Sequence, residues 1–141
     1  MFLGEHQHSV DAKGRVILPA RFRDQLEGGA VMARALDGCL AVYPVDEFDR
    51  LATRIREVRE RGGEQRQTAR TFFAGAIEIA PDKQGRVAVP PSLREYAGLT
   101  KEAMVTGVLT RIEIWDAVRW REHKAAGRSS LHEAGSSGFG I

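Results

Sequence analysis

The chain has a single cysteine, Cys39, among its 141 residues, so no disulfide can form within it. Cys39 adjoins the apolar run 40–42, and we expect it to be a buried small hydrophobic residue in a reducing compartment. No apolar run approaches the roughly 18 residues of a membrane span. No basic segment precedes an apolar one at the N-terminus, as in a secretory signal. These absences predict a soluble, cytoplasmic protein.

Neither sign of charge dominates. Lys and Arg number 21 against 19 Asp and Glu, a net charge of +2, and such a total does not by itself indicate a nucleic-acid binder. The glycine-rich signatures of nucleotide-binding proteins and the G-x-S-x-G elbow of hydrolases are absent. His6 and His8 share one face of a predicted strand but lack the further ligands that zinc needs. We expect no metal, no cofactor, no small-molecule substrate and no enzymatic activity.

The chain does contain an internal repeat, at an offset of 71 positions. The segment DAKGRV at 11–16 returns as DKQGRV at 82–87. Of the 25 positions from Phe2 to Leu26, eight are identical to their partners, mostly at Gly, Pro, Asp and Arg. Each copy of about 45 residues is near the size at which a separate core is marginal. We therefore expect the two copies to share one core.

Each copy has the pattern of a strand, an Asp-x-x-Gly loop, a short strand, a proline, a short helix and two further strands. The first two strands of a copy have the signal of a β-hairpin, with Gly14 where a positive φ is needed. Asp37-Gly38 predicts another hairpin between the last two strands of the first copy. The predicted fold class is α+β, mostly β.

Two segments fall outside the repeat. Residues 46–61 place apolar side chains at helical spacing and predict an amphipathic helix that packs on the core or on another subunit; these side chains are Phe48, Leu51, Ile55 and Val58. A helix or turn follows over 65–73, and a last helix over 116–124, with a mobile tail expected beyond Gly127. The predicted units are repeat 1 (5–47), linking helices (48–74), repeat 2 (76–119) and a C-terminal helix end with a mobile tail (120–141).

The repeated loop carries the candidate chemistry. The Asp11 carboxylate can accept hydrogen bonds from loop amides and pair with Arg15, while Lys13 lies at the tip. A rigid loop that presents arginine can contact phosphate or the O6 and N7 atoms of guanine. In the second copy the corresponding residues are Asp82, Lys83 and Arg86, with Gln84 aligned to Lys13. An exposed Asp–Arg pair contributes only about 0–1 kcal/mol to stability. For a single copy, the preferred interpretation is therefore that the pair only fixes the turn, an arrangement that we call a clip.

Several motifs together resemble the MraZ family, which belongs to the SpoVT/AbrB superfamily of swapped-hairpin transcription factors. They are the start M-F-L-G, the two D-x-x-G-R loops, L-x-V-Y-P at 40–44 and I-x-I-W-D at 112–116. The resemblance extends from Met1 to about His123. It implies an AbrB-like barrel that two pseudo-symmetric halves form within one chain, with flanking helices.

The same resemblance implies a function. It implies a nucleoid-associated bacterial regulator that binds short direct repeats in the promoter of its own operon, in the division and cell-wall gene cluster, as a homo-oligomeric ring. Its motif residues fall on Asp11, Arg15, Asp82 and Arg86, and charge and loop position add Lys13 and Lys83 to the predicted DNA-binding set. Because Lys13 aligns with Gln84, we expect the two loops to contribute unequally.

Two alternatives remain at this level. The chain could be a ring-forming scaffold whose loops contact protein, or an AbrB-like DNA binder of the antitoxin type. A basic surface around the loops would favour DNA, and a neutral or apolar one would favour the scaffold. Antitoxins usually carry a disordered toxin-binding tail, whereas residues 127–141 are short and poor in large apolar side chains.

Overall fold

The structure, a computed structural model, describes residues 1–134 and 138–139. Eight strands lie within these residues: β1 (Phe2–Ser9), β2 (Arg15–Ile17), β3 (Ala30–Arg34), β4 (Leu40–Pro44), β5 (Ile77–Ile79), β6 (Arg86–Ala88), β7 (Glu102–Leu109) and β8 (Ile112–Asp116). The α-helices in the same part of the chain are α1 (Ala20–Asp24), α2 (Val45–Arg59), α3 (Gly63–Gly75), α4 (Pro91–Ala97) and α5 (Ala117–Glu133). The predicted α+β class, with more strands than helices, is confirmed.

The two repeats interleave. Six strands form one antiparallel sheet in the order β1-β7-β8-β4-β3-β5, and β2 pairs with β6 in a separate two-stranded ribbon. The first strand of each copy thus pairs with a later strand of the other copy, β1 with β7 and β5 with β3. Because the strands cross between copies, neither repeat can complete its sheet alone.

The predicted hairpin between the first two strands of a copy is wrong. The chain does reverse at the loop, where the Asp11 amide donates to the Arg15 carbonyl at 3.0 Å. However, β1 pairs with β7 over its whole length, from Phe2 opposite Leu109 to Ser9 opposite Glu102. The turn signal is local, whereas the choice of strand partner depends on joint burial of residues distant in sequence.

One shared core lies between the sheet and the ribbon, as predicted. Its largest fully buried side chains come from both copies: Val16, Leu18, Phe22, Met32, Leu40, Val42, Val87, Val89, Leu93, Val105, Ile112 and Ile114. Helices α1 and α4 contribute Phe22 and Leu93 to it. The large sheet does not close on itself, since β1 and β5 end its strand order. The closed barrel is therefore not confirmed.

The opposite face of the sheet is covered by the remaining helices. Tyr43 packs with Phe48 of α2, which stacks on Phe72 of α3 at a centroid distance of 6.1 Å. The predicted amphipathic helix is thus α2, with Phe48 and Leu51 packed inward while Val58 stays 37% exposed. On the other half of the sheet, Trp120 of α5 packs on Trp115.

The structure also bears on a predicted turn and on the predicted end of the last helix. The Asp37-Gly38 hairpin is confirmed, because β3 pairs with β4 across a turn in which Asp37 has φ 66°. Helix α5 continues to Glu133, so residues 128–133 are helical where a tail was expected. The rest of the predicted mobile tail includes residues 135–137 and 140–141, which lie outside the described residues.

Among the described residues, none of the helices has the length and apolar character to span a membrane.

Candidate nucleic-acid interface

The Asp11 side chain organises the first loop. Its Oδ1 atom accepts hydrogen bonds from the backbone amides of Lys13 (2.9 Å) and Arg15 (2.8 Å). Its Oδ2 atom accepts from the Nε of Arg15 at 2.7 Å. The turn is closed by the Gly14 amide, which donates to the Asp11 carbonyl at 2.9 Å, with Gly14 at φ 76°. One carboxylate therefore fixes both the turn and the direction of the guanidinium.

The second loop repeats this geometry. Asp82 accepts from the amides of Gln84 and Arg86, both at 2.9 Å, and from the Nε of Arg86 at 2.7 Å. Gly85 takes φ 83°. The Arg15 and Arg86 side chains are 26% and 29% exposed. Duplication has therefore preserved a charged side-chain clip as well as a backbone turn.

Both clips depend on ionised carboxylates. The backbone hydrogen bond from Arg15 is the main cause that lowers the pKa of Asp11, and that from Arg86 acts in the same way on Asp82. Both aspartates therefore remain charged at neutral pH. Because each arginine uses only Nε, its two Nη groups have no protein hydrogen-bond partner within the described chain.

Each loop is also held by an arginine of the other copy. The Arg94 guanidinium lies against Gly14, where a Cβ would collide with it, and its Nη1 donates to the Lys13 carbonyl at 3.4 Å. Arg23, which matches Arg94 in the repeat, lies against Gly85, and a Cβ there would be 2.5 Å from the guanidinium. The helices α1 and α4 thus pack arginines across the repeat boundary onto the glycines of the two loops.

The two loops leave opposite ends of the β2–β6 ribbon. Arg15 pairs with Ala88 and Ile17 with Arg86, while Val16 and Val87 face the core. By strand alternation, Arg15, Ile17, Arg86 and Ala88 share the outer face. From the register, the two arginine Cα atoms are about 7 Å apart along the ribbon and about 5 Å apart across it. The interleaved fold therefore presents both predicted arginines on one surface.

The two predicted lysines lie at different positions. Lys13 and Lys83 are both exposed, but Lys13 is the third residue of its loop and Lys83 the second of its own. Each loop thus carries one lysine, and the two charges are placed differently. The structure brings all six predicted residues to the loops at the two ends of the ribbon.

Four further residues belong to this surface and were not in the predicted set. Arg23 and Arg94 hold the loops, and Ile17 and Ala88 complete the outer ribbon face. The repeat alignment pairs Arg23 with Arg94 and could have identified them. Ile17 is 39% exposed although it is apolar. Strand alternation, which puts Val16 and Ile17 on opposite faces, is the sequence feature that could have identified it.

The charged residues in contact with the first loop are mostly cations. Lys101 adjoins the first loop, because its carbonyl accepts from the Val10 amide at 2.8 Å. Asp11 and Glu102 are acids at this loop, and Glu102 accepts from the Ser9 hydroxyl at 3.1 Å. With Lys13, Arg15 and Arg94, the cations around the first loop outnumber the acids.

The histidines and the cysteine do not form a second site in the described part of the chain. His6 packs its ring edge-on against Phe22 at 5.5 Å, with a buried Nε2 that lacks a partner in the structure. Among residues 1–134 and 138–139, no three His, Cys, Asp or Glu side chains form a group that could hold a metal ion. Cys39 is buried as predicted, and burial raises the pKa of its thiol to about 12.

The fold and this surface define a class: a duplicated α+β protein whose interleaved halves present a pair of Asp–Arg loops on a β-ribbon. The family model "MraZ protein, putative antitoxin-like" matches the chain twice, over residues 1–71 and 72–138. The chain belongs to the MraZ family.

Curated relatives agree with this assignment. A protein named "Transcriptional regulator MraZ" from Pelotomaculum thermopropionicum is 47% identical over 133 residues, covering 94% of this chain and 92% of its own. Proteins of the same name from Frankia alni and Cutibacterium acnes are 45% and 47% identical, over 94% and 89% of this chain and 93% and 89% of theirs.

Proposed function

We propose that this protein is a cytoplasmic, nucleoid-associated transcriptional regulator that binds double-stranded promoter DNA through the outer face of the β2–β6 ribbon. The observation that carries the proposal is the presence of Arg15 and Arg86 on one exposed face of a two-stranded ribbon. The major groove of B-DNA admits such a ribbon. The printed names of the relatives support regulation of transcription.

The clip geometry suits base recognition. Each guanidinium is oriented through Nε by an aspartate, which leaves the two Nη groups for a ligand. A planar pair of donors matches the O6 and N7 acceptors of guanine, a contact that discriminates by about 1–3 kcal/mol. Ile17 and Ala88 lie between the arginines, where apolar side chains can contact thymine methyl groups. Lys13 and Lys83 are exposed at the loops and can contact phosphates.

One ribbon offers few contacts, so we propose that affinity comes from a homo-oligomeric ring that binds short direct repeats. Linked sites raise the effective concentration for each added contact. Val58 on α2 and Val118 on α5 are 37% and 56% exposed and lie over different halves of the sheet. A head-to-tail contact between such different faces closes a ring when the rotation permits.

The target we propose is the promoter of the protein's own operon, in the division and cell-wall gene cluster. A gel-shift titration with the DNA upstream of its own gene, combined with sizing of the free protein, tests this function. Arg15→Ala and Arg86→Ala should each weaken binding by roughly tenfold. The two losses should be unequal, because Lys13 and Lys83 occupy different loop positions.

A charge-matched control separates this mechanism from a general loss of positive charge. Arg66 on α3 is exposed and removed in sequence from both loops. Arg66→Ala should leave the titration unchanged. Unchanged binding in both loop variants, with the protein still folded, would refute the proposed interface, and retained binding by a monomer would refute the role of the ring.

A further inference from the structure

A cleft of about 670 Å³ lies beside the linking helices, and its lining includes no residue of the loops or of the β2–β6 ribbon. Its apolar and aromatic walls come from the sheet, the linking helices and α4: Tyr43, Leu51, Ile55, Phe72 and Tyr96. Ligand sites in proteins have volumes of about 300–1,000 Å³, with mainly apolar walls and a few convergent polar groups. The shape and walls of this cleft therefore fit a small organic molecule.

Arg34 supplies a cation fixed at one end of the cleft. Its guanidinium lies 5.7 Å from the centre of the Tyr96 ring, and Tyr96 is held by a hydrogen bond from its hydroxyl to the Ala35 carbonyl. On its other side Arg34 lies against Gly75, where a Cβ would collide with the guanidinium. In the described structure Arg34 has no carboxylate or hydrogen-bond partner. A guanidinium held in this way but without a counter-ion is suited to binding an anion.

The other charges around the cleft leave Arg34 as the dominant cation. Arg111 donates to Glu113 through Nε (3.2 Å) and Nη2 (2.7 Å), so its charge is largely balanced. Glu64 is an exposed acid on the α3 side. Tyr43 lines the cleft, and burial raises the pKa of its hydroxyl, which therefore stays protonated and able to donate at neutral pH.

We propose that this cleft binds a small organic anion with an apolar body, whose acidic group pairs with Arg34 and whose body packs on Tyr43, Phe72 and Leu51. The lining includes no residue of the two loops or of the β2–β6 ribbon, although α4 contributes Tyr96 to it, so the site does not depend on the proposed DNA-binding function. An effector that binds here would do so without occupying the loops.

Two fluorescent probes with the same aromatic body test this proposal on the full-length chain. Anilinonaphthalene sulfonate carries an anionic group, and phenylnaphthylamine lacks it. The sulfonate should bind at one site per chain, roughly tenfold or more tightly than the neutral probe, because a charge-assisted hydrogen bond is stronger than a neutral one. Arg34→Gln should abolish this preference, and Arg34→Lys should retain part of it.

Controls distinguish the cleft from nonspecific binding. Arg66→Gln makes the same charge change on α3 outside the cleft lining and should leave both titrations unchanged. Thr68→Trp should fill the cleft and weaken both probes, while circular dichroism confirms that each variant is folded. Equal affinity for the two probes, or a sulfonate affinity unaffected by Arg34→Gln, would overturn the proposal. Binding to separated subunits but not to an assembled oligomer would also overturn it, since a second copy would then cover the cleft.

Discussion

The packing of Arg94 on Gly14 predicts a coupling between the two repeats that stability measurements can detect. An alanine at Gly14 would have to adopt φ near 76°, which costs an L-residue about 1–2 kcal/mol. Its Cβ would also displace the Arg94 guanidinium from the loop. We therefore expect Gly14→Ala to lower the free energy of unfolding by more than the backbone cost alone.

The second copy provides an internal comparison. Gly85 has φ 83°, similar to Gly14. A Cβ added there would lie 2.5 Å from the Arg23 guanidinium, farther than a Cβ at Gly14 would lie from the Arg94 guanidinium, so the clash is milder. Gly85→Ala should therefore destabilise the protein, but by less than Gly14→Ala. Gly127 is the matched control, because it lies within α5 and a Cβ there would meet no atom within 4 Å. Gly127→Ala should stabilise the protein by about 0.5–1 kcal/mol.

Urea unfolding of single and double variants measures the coupling. In an Arg94→Ala background, Gly14→Ala should cost only the backbone term, so the cycle should give an interaction energy of 0.5 kcal/mol or more, as is usual for groups in contact. If Gly14→Ala were as well tolerated as Gly127→Ala, or if removal of Arg94 left its cost unchanged, the proposed contact between copies would be wrong.

Three further predictions concern the loops and the ribbon face. Lys13→Ala should weaken binding to all DNA sequences alike and reduce the slope of log affinity against log salt by about 1, as measured by titration at several salt concentrations. Ile17→Ala should lower the preference for thymine over uracil in the operator, as measured with substituted duplexes, because uracil lacks the methyl group. The lowered pKa values of Asp11 and Asp82 mean that their contribution to stability is present at neutral pH and is lost as the pH falls below the ordinary aspartate value of about 3.9; carboxyl NMR titration should place both transitions below it.

The local features of this fold could be predicted from the sequence. The loop at Asp11, the hairpin at Asp37 and the helix that begins with Pro91 all depend on residues with strong backbone preferences. The sequence underestimates the extent of α5, because Gly127, Ser129 and Ser130 indicate an earlier end. The neighbouring alanines, arginine and leucine are good helix formers, and the helix continues to Glu133.

Strand partners and the contacts between repeats could not be predicted in the same way. Nothing near β1 in sequence indicates that it pairs with β7, since this choice depends on residues about 100 positions away that bury their apolar faces together. The packing of Arg94 on Gly14 likewise requires α4 to lie over the loop of the other copy. The six loop residues could be predicted because their chemistry is local, whereas the ribbon face that Arg15 and Arg86 share exists only after the repeats interleave.

The proposal that Arg15 and Arg86 read guanine is tested most directly by changing an arginine and a guanine atom together and measuring DNA binding. Replacement of operator guanines by deazaguanine, which lacks the N7 acceptor, should weaken binding of the unmodified protein by about 1–3 kcal/mol at the contacted positions. The same replacement should have little additional effect on Arg15→Ala or Arg86→Ala, each at its own guanine. Equal losses in the unmodified protein and in both variants would show that these arginines do not read guanine, and would refute the proposed mode of DNA binding.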